Sequence, residues 1–145
     1  MSTSETTVQS ALPLVGRILM ASIFILSGLS KLAAAAATQG YIASAGLPAP
    51  VLAYVIAVAV EAGGGLLLLV GYRTRVVAAV LAVFTLVTAV VFHHALGDQN
   101  QFIHFFKNIA IAGGLFQVAT FGAGSISIDG LRTKAHRRGR ALSPA

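Results

Sequence analysis

Four apolar stretches of about twenty residues, separated by short polar or glycine-containing breaks, dominate the chain. The first runs from Pro13 to about Ala37 and is broken by Arg17, Lys31 and a few serines, while the second, Pro50 to Val70, carries Glu61 as its one charge. The third follows Arg75 to about Ala95, and the fourth runs from about Phe102 to Phe121. At about 1.5 Å per helical residue each stretch covers roughly 30 Å, the thickness of a bilayer's hydrocarbon layer. Runs such as Leu66-Leu67-Leu68-Leu69-Val70 do not alternate, as the strands of a membrane barrel must. Helices satisfy their own backbone groups in lipid, so the pattern predicts an all-α integral membrane four-helix bundle. Gly71 to Arg75 and Gly97 to Asn100 read as connections, and Gln39 to Ala49, with Gly40, Gly46 and Pro48, reads as a loop against the outer surface. The chain then divides into an N-terminal tail (1–12), a four-span domain (13–122) and a basic C-terminal tail (123–145).

Composition removes the soluble alternatives. Hydrophobic residues make up 57% and charged residues 10%, where a soluble domain has about 45–50% and about 25%. With no cysteine and no tryptophan, disulfides, thiolate metal sites, iron–sulfur clusters and Cys-x-x-Cys chemistry are excluded, so any redox chemistry is borrowed from a cofactor. Met1 to Leu12 contains Glu5 and no basic residue, and the apolar run beyond is longer than a leader's core, so residues 1–37 read as a span, not a cleaved signal. Arg17, Arg73, Arg75, Arg132, Lys134, Arg137, Arg138 and Arg140 fall on one side of the four spans and Lys31 and Lys107 on the other, eight against two. That bias predicts N-in/C-in in the cell membrane. The basic tail suits anionic headgroups, at about 1 kcal/mol per charge near the surface, better than nucleic acid.

Ionisable residues inside a span are costly unless paired or hydrated, and each is therefore a site hypothesis. Glu61 lies eleven residues after Pro50, about 16 Å into the core, too deep for its short side chain to reach either interface. It must face the bundle. Side chains tilt toward the N-terminus of their own helix, so Glu61 leans outward and Lys31, near the outer end of the first span, leans inward; the two are expected to converge. Arg17, Phe24, Gly28 and Lys31 share one helical face, expected to be buried with Gly28 at a helix contact, while Arg17 itself is expected to snorkel to the nearby interface. Gly63-Gly64-Gly65 sits inside an apolar helix and reads as a close-packing device, not a phosphate loop.

The outer halves of the third and fourth spans add His93, His94, His104, Lys107 and Asn108, the last three sharing a face at i, i+3 and i+4. Adjacent His93 and His94 cannot both face the bundle, and the pattern does not choose between them. Lys31, Lys107 and Glu61 with neutral histidines sum to +1, which suits a small anion or a quinone carbonyl that gains negative charge, with histidine as proton carrier. Haem held between His93 or His94 and His104 is weakly supported, and the differing depths of Glu61 and the histidines argue against a metal site.

Gly16-Arg17, Phe24, Ser27-Gly28-Leu29-Ser30-Lys31, Gly46-Leu47-Pro48, and Glu61-Ala62-Gly63-Gly64-Gly65 through Gly71 to Thr74-Arg75 together resemble the DoxX family, with looser matches at His94, Lys107-Asn108 and Ser127-Ile128-Asp129. The likeness covers about residues 13–130. It implies a four-helix protein of the bacterial cell membrane, commonly labelled an oxidoreductase or a subunit of one, in a family named for a subunit of a thiosulfate:quinone oxidoreductase. The cysteine-free chain departs from any thiol-dependent version of that activity, and the basic tail lies outside the shared pattern. The expected site has Glu61, His94 and His104 in catalytic roles and Lys31, Lys107 and Asn108 binding quinone, with Arg17, Gly28, Gly64, Gly65, Gly71 and Arg75 structural. The rival readings are a carrier for a small anion or proton, and a non-enzymatic assembly partner in the membrane. A soluble or membrane redox partner and self-association stay open.

Overall fold

The computed structural model describes residues 3–141. Its elements are α1 (Thr3–Ala33), α2 (Ala35–Ser44), α3 (Pro50–Val58), a π-helical segment (Ala59–Gly63), α4 (Gly64–Val70), α5 (Thr74–Phe92), α6 (Gln99–Phe121) and α7 (Ile128–Ala141). Four helical stretches are long and apolar enough to cross a membrane: Ser10–Ala33, Pro50–Val70, Thr74–Phe92 and Gln99–Phe121. An even number of crossings joined by short connections brings the start of α1 and the whole of α7 to one side.

The ends of the elements follow local chemistry. Pro50 opens α3, where its fixed φ and missing N–H cost nothing. Gly71, at φ 70°, closes α4: its N–H reaches the Leu68 carbonyl, and the Tyr72 N–H reaches that of Leu67. This paired arrangement uses a left-handed residue that only glycine adopts cheaply. Asp98 caps α6 by accepting from the Gln101 N–H at 2.9 Å.

One expectation about the elements is corrected. Gln39 to Ala49 is not one loop, because α2 runs on to Ser44; the alanines at 35–37 favour helix strongly enough to carry it through Gly40. The turn is confined to Ala45–Ala49, where Gly46 and Ala49 take positive φ. The N-terminal tail is helical from Thr3 and continuous with the first span through Pro13. Residues 128–141 of the expected C-terminal tail form α7, whose Ile128, Leu131 and Ala135 recur at helical spacing among basic residues.

The core holds Ala21 and Phe24 of α1, Leu68 of α4, Ala78, Leu81 and Ala82 of α5, and Ala112 and Leu115 of α6. Half of these residues are alanine, so the helices approach closely, as membrane bundles do without a hydrophobic drive between helices. Leu19, Leu26, Val76, Val90 and Phe121 face outward and are strongly exposed, as a lipid-facing surface requires. α5 and α6 form a tightly packed hairpin, and α1 packs along the π segment and α4. At Gly28 an added Cβ would lie 2.8 Å from the Ala62 backbone nitrogen, and at Gly65 3.1 Å from that of Ile25, so both glycines set the separation of the first two spans. Gly64 instead faces Leu81 of α5. Gly63 has open space beside it and takes no part in close packing.

Candidate functional site

Glu61 is buried inside the second span, at 7% exposure. It lies within the π segment, where one residue beyond the α-helical count shifts the register of the backbone. Such bulges are rare and concentrate at functional positions. Lys31 comes from the last turn of α1 and reaches inward across the Gly28–Ala62 contact. Its Nζ donates to Glu61 Oε1 at 3.1 Å and lies 2.8 Å from Oε2. Nζ also donates to Ser27 Oγ at 2.8 Å, one turn back on its own helix. Oε2, although in ionic contact, receives no directed hydrogen bond. The two partners are not equally enclosed, since the lysine side chain is 26% exposed and the glutamate side chain 9%. The lysine is thus the more exposed member of the pair.

A second group lies at the α5–α6 turn. The rings of His93 and His104 stack with centroids 5.1 Å apart, His93 Nδ1 is 2.8 Å from Gln101 Oε1, and Lys107 Nζ is 2.8 Å from His104 Nδ1. His94 is exposed and turned to the Val91 carbonyl of its own helix. The residue of that pair facing its neighbours is therefore His93, which the expected site left out in favour of His94. Stacked rings do not aim their nitrogens at a shared iron, so the geometry offers no haem ligation. Asn108 is half-buried, and its side chain makes no hydrogen bond. Among the described residues no hydrogen bond or salt bridge joins this group to Lys31 and Glu61.

The third polar centre was not legible as one. Arg17 does not snorkel. At 1% exposure it is among the most enclosed side chains of the bundle, donating to the carbonyls of Leu68 at 3.4 Å, Leu69 at 3.3 Å and Ile126 at 2.5 Å. The carbonyls left open at the end of α4 attract a cation, and the arginine fork reaches them and the connection before α7 together. A Cβ at Gly71 would collide with this guanidinium and lie 2.5 Å from Ser127 Cβ. Asp129 then ties α7 to α5. Its Oδ1 accepts from the Arg73 N–H at 2.9 Å, its Oδ2 from the N–H and hydroxyl of Thr74, each at 2.8 Å, and its own N–H donates to the Gly71 carbonyl at 2.9 Å. Asp129 caps a helix other than its own, so no spacing within α5 could have revealed it.

The family model for DoxX matches residues 12–94, the first three spans. The chain is also 42% identical over 121 residues to the inner membrane protein YqjF of Escherichia coli K12, covering 83% of this chain and 92% of that protein. Inner membrane protein YphA of the same organism is 40% identical over 121 residues, covering 80% and 86%. The chain belongs to the DoxX family. No solved structure matches it. This DoxX protein is a multi-pass inner membrane protein by its four spans and its inner-membrane relatives. Arg17, Lys31, Glu61, Gly71, Thr74 and His94 fall inside the DoxX match, whereas His104, Lys107, Asn108 and Asp129 fall beyond it.

The Asp129 clamp carries a pH prediction. Burial pushes its carboxyl up, but the Thr74 and Arg73 hydrogen bonds and the nearby Arg132 charge outweigh this and hold its pKa below the ordinary carboxylate value. A depressed carboxyl pKa contributes stability in full above the unfolded value, near pH 4, and loses it as pH falls through the folded value. Amide-exchange protection of Thr74 and the first turn of α7 is expected to fall below about pH 4, with the four spans unaffected. Asp129→Asn should abolish that step. Equal protection in the native chain at about pH 6 and about pH 3 would contradict the clamp.

Proposed function

We propose that the Lys31–Glu61 pair is the centre of a quinone-linked redox component of the cell membrane, oriented N-in/C-in so that the pair lies in the outer half of the bilayer. One observation carries the reading: an ion pair deep in the second span pairs a partly exposed lysine side chain with a buried carboxylate that has one oxygen without a directed hydrogen bond. An ammonium group has three N–H donors. Two of those of Lys31 are engaged by Ser27 and Glu61, and the third would turn from Oε2 to a quinone carbonyl oxygen.

A bound quinone would supply the electron-accepting chemistry, with the electrons coming from a separate reduced donor. Lys31 would donate its remaining N–H to the carbonyl, a charge-assisted hydrogen bond in a low-dielectric setting. Glu61 would hold that amine in place by accepting from it at Oε1, and would exchange a proton at Oε2. His104, set by the His93 ring and by Lys107, would exchange protons with water at the outer face. Lys107 and Asn108 belong with this outer histidine group, so the quinone contact is assigned to Lys31 alone.

Membrane vesicles containing the full chain, irradiated with a photoreactive quinone, test the reading. Labelling is expected on peptides carrying Ser27–Lys31 or Ala59–Gly65, and excess unmodified quinone should suppress it. Labelling that competitor leaves unchanged, or that falls on neither peptide, would overturn the proposal.

A further inference from the structure

A cleft of about 840 Å3 opens between α7 and the facing ends of α5 and α6. Its walls carry Arg73 just before α5, Arg75 in the first turn of α5, and Arg132, Lys134 and Arg137 from α7, five basic side chains against one acid, Asp129. That acid is already committed to Thr74 and the Arg73 backbone. Among the described residues none of the five forms a salt bridge with a carboxylate. Arg132 is instead held over the Tyr72 ring, 4.9 Å from its centroid. Burial of Arg17 and the Asp129 clamp fix α7 beside the spans, so the cleft is built by the fold and not by a loose tail.

We infer that this cleft binds the phosphate of an anionic glycerophospholipid. Its position selects a lipid over a soluble phosphate ester. Thr74 is the first residue of the third span and Phe121 the last of the fourth, so the cleft lies at the edge of the hydrocarbon layer. Phe121 and Val76, also in its walls, are 76% and 65% exposed. Basic side chains on the water side and strongly exposed apolar ones on the lipid side match a molecule with a charged head and acyl chains. Ile128 and Leu131, both exposed on α7, would seat the helix in the same interface. The reading is independent of the redox proposal, because the cleft is built from α5, α6 and α7, apart from Lys31 and Glu61.

Native mass spectrometry of the full chain in neutral detergent, with added phosphatidylglycerol or phosphatidylcholine, tests it. Phosphatidylglycerol should be retained preferentially. Arg75→Gln with Arg137→Gln should weaken that preference about twenty-five-fold, or about fivefold for each charge lost near the headgroup. Arg138→Gln with Arg140→Gln removes the same charge outside the cleft and should change it less than about twofold. Helicity and thermal unfolding of both double variants report folding separately. The inference fails if the two lipids bind equally, if the two double variants lose preference equally, or if excess glycerol phosphate displaces the lipid, which would assign the cleft to a soluble ligand.

Discussion

On the proposed role, Glu61→Gln in the full chain is expected to lower quinone reduction by an added chemical reductant by about a hundredfold or more, the scale of losing a positioned acid–base group. Glutamine keeps nearly the shape of the side chain but cannot carry the charge that pairs with Lys31 or exchange a proton at Oε2. The same exchange also leaves the Lys31 charge without its partner. For a fully buried pair that costs about 3–5 kcal/mol. Because Lys31 keeps its hydrogen bond to Ser27 and a glutamine oxygen can still accept from its amine, the expected loss of stability is smaller, about 1–2 kcal/mol. Thermal unfolding in detergent and turnover in proteoliposomes separate the two effects. Turnover within about twofold of the native value would remove Glu61 from the chemistry.

Arg17→Met is expected to have the largest effect on stability, about 3 kcal/mol or more. Three backbone carbonyls, of Leu68, Leu69 and Ile126, would lose a charged donor in a place water does not reach, and hydrogen bonds to charged groups are worth about 1.5–3 kcal/mol each. Arg17→Lys should recover only part of this, since a single ammonium cannot span the end of α4 and the Ile126 carbonyl as the planar fork does. Amide exchange should show α7 loosening before the spans unfold. A loss under about 1 kcal/mol, with α7 still protected, would mean that Arg17 is not the pin between these elements.

The helical class and the four spans were legible because lipid imposes a length and forbids open strands, and both rules act on composition alone. The Lys31–Glu61 approach was legible from depth and side-chain tilt, which depend on position within a helix. The π segment was not, because the extra residue at Glu61 is decided by packing against α1 and leaves no mark on hydrophobic spacing. Arg17 was misread for a related reason. Its distance from the interface permits snorkelling, and only the tertiary fold shows that the carbonyls at the end of α4 lie nearer than water. The choice between His93 and His94 turned on where α5 ends: His93 leaves the helix at φ −131°, which turns its ring toward His104. Helix α7 was hidden by its charge, since five basic residues between Arg132 and Arg140 resemble a solvated tail until Asp129 is seen capping α5.

The most direct measurement of the central claim compares the double variant Lys31→Met/Glu61→Gln with its two single variants, reading thermal unfolding and quinone binding on the same preparations. Removing both charges relieves the unpaired lysine, so unfolding should return to within about 1 kcal/mol of the native protein. Quinone binding should stay as weak as in the worse single variant. A double variant that is stable and still binds quinone at native strength would make the pair a packing device alone and end the assignment.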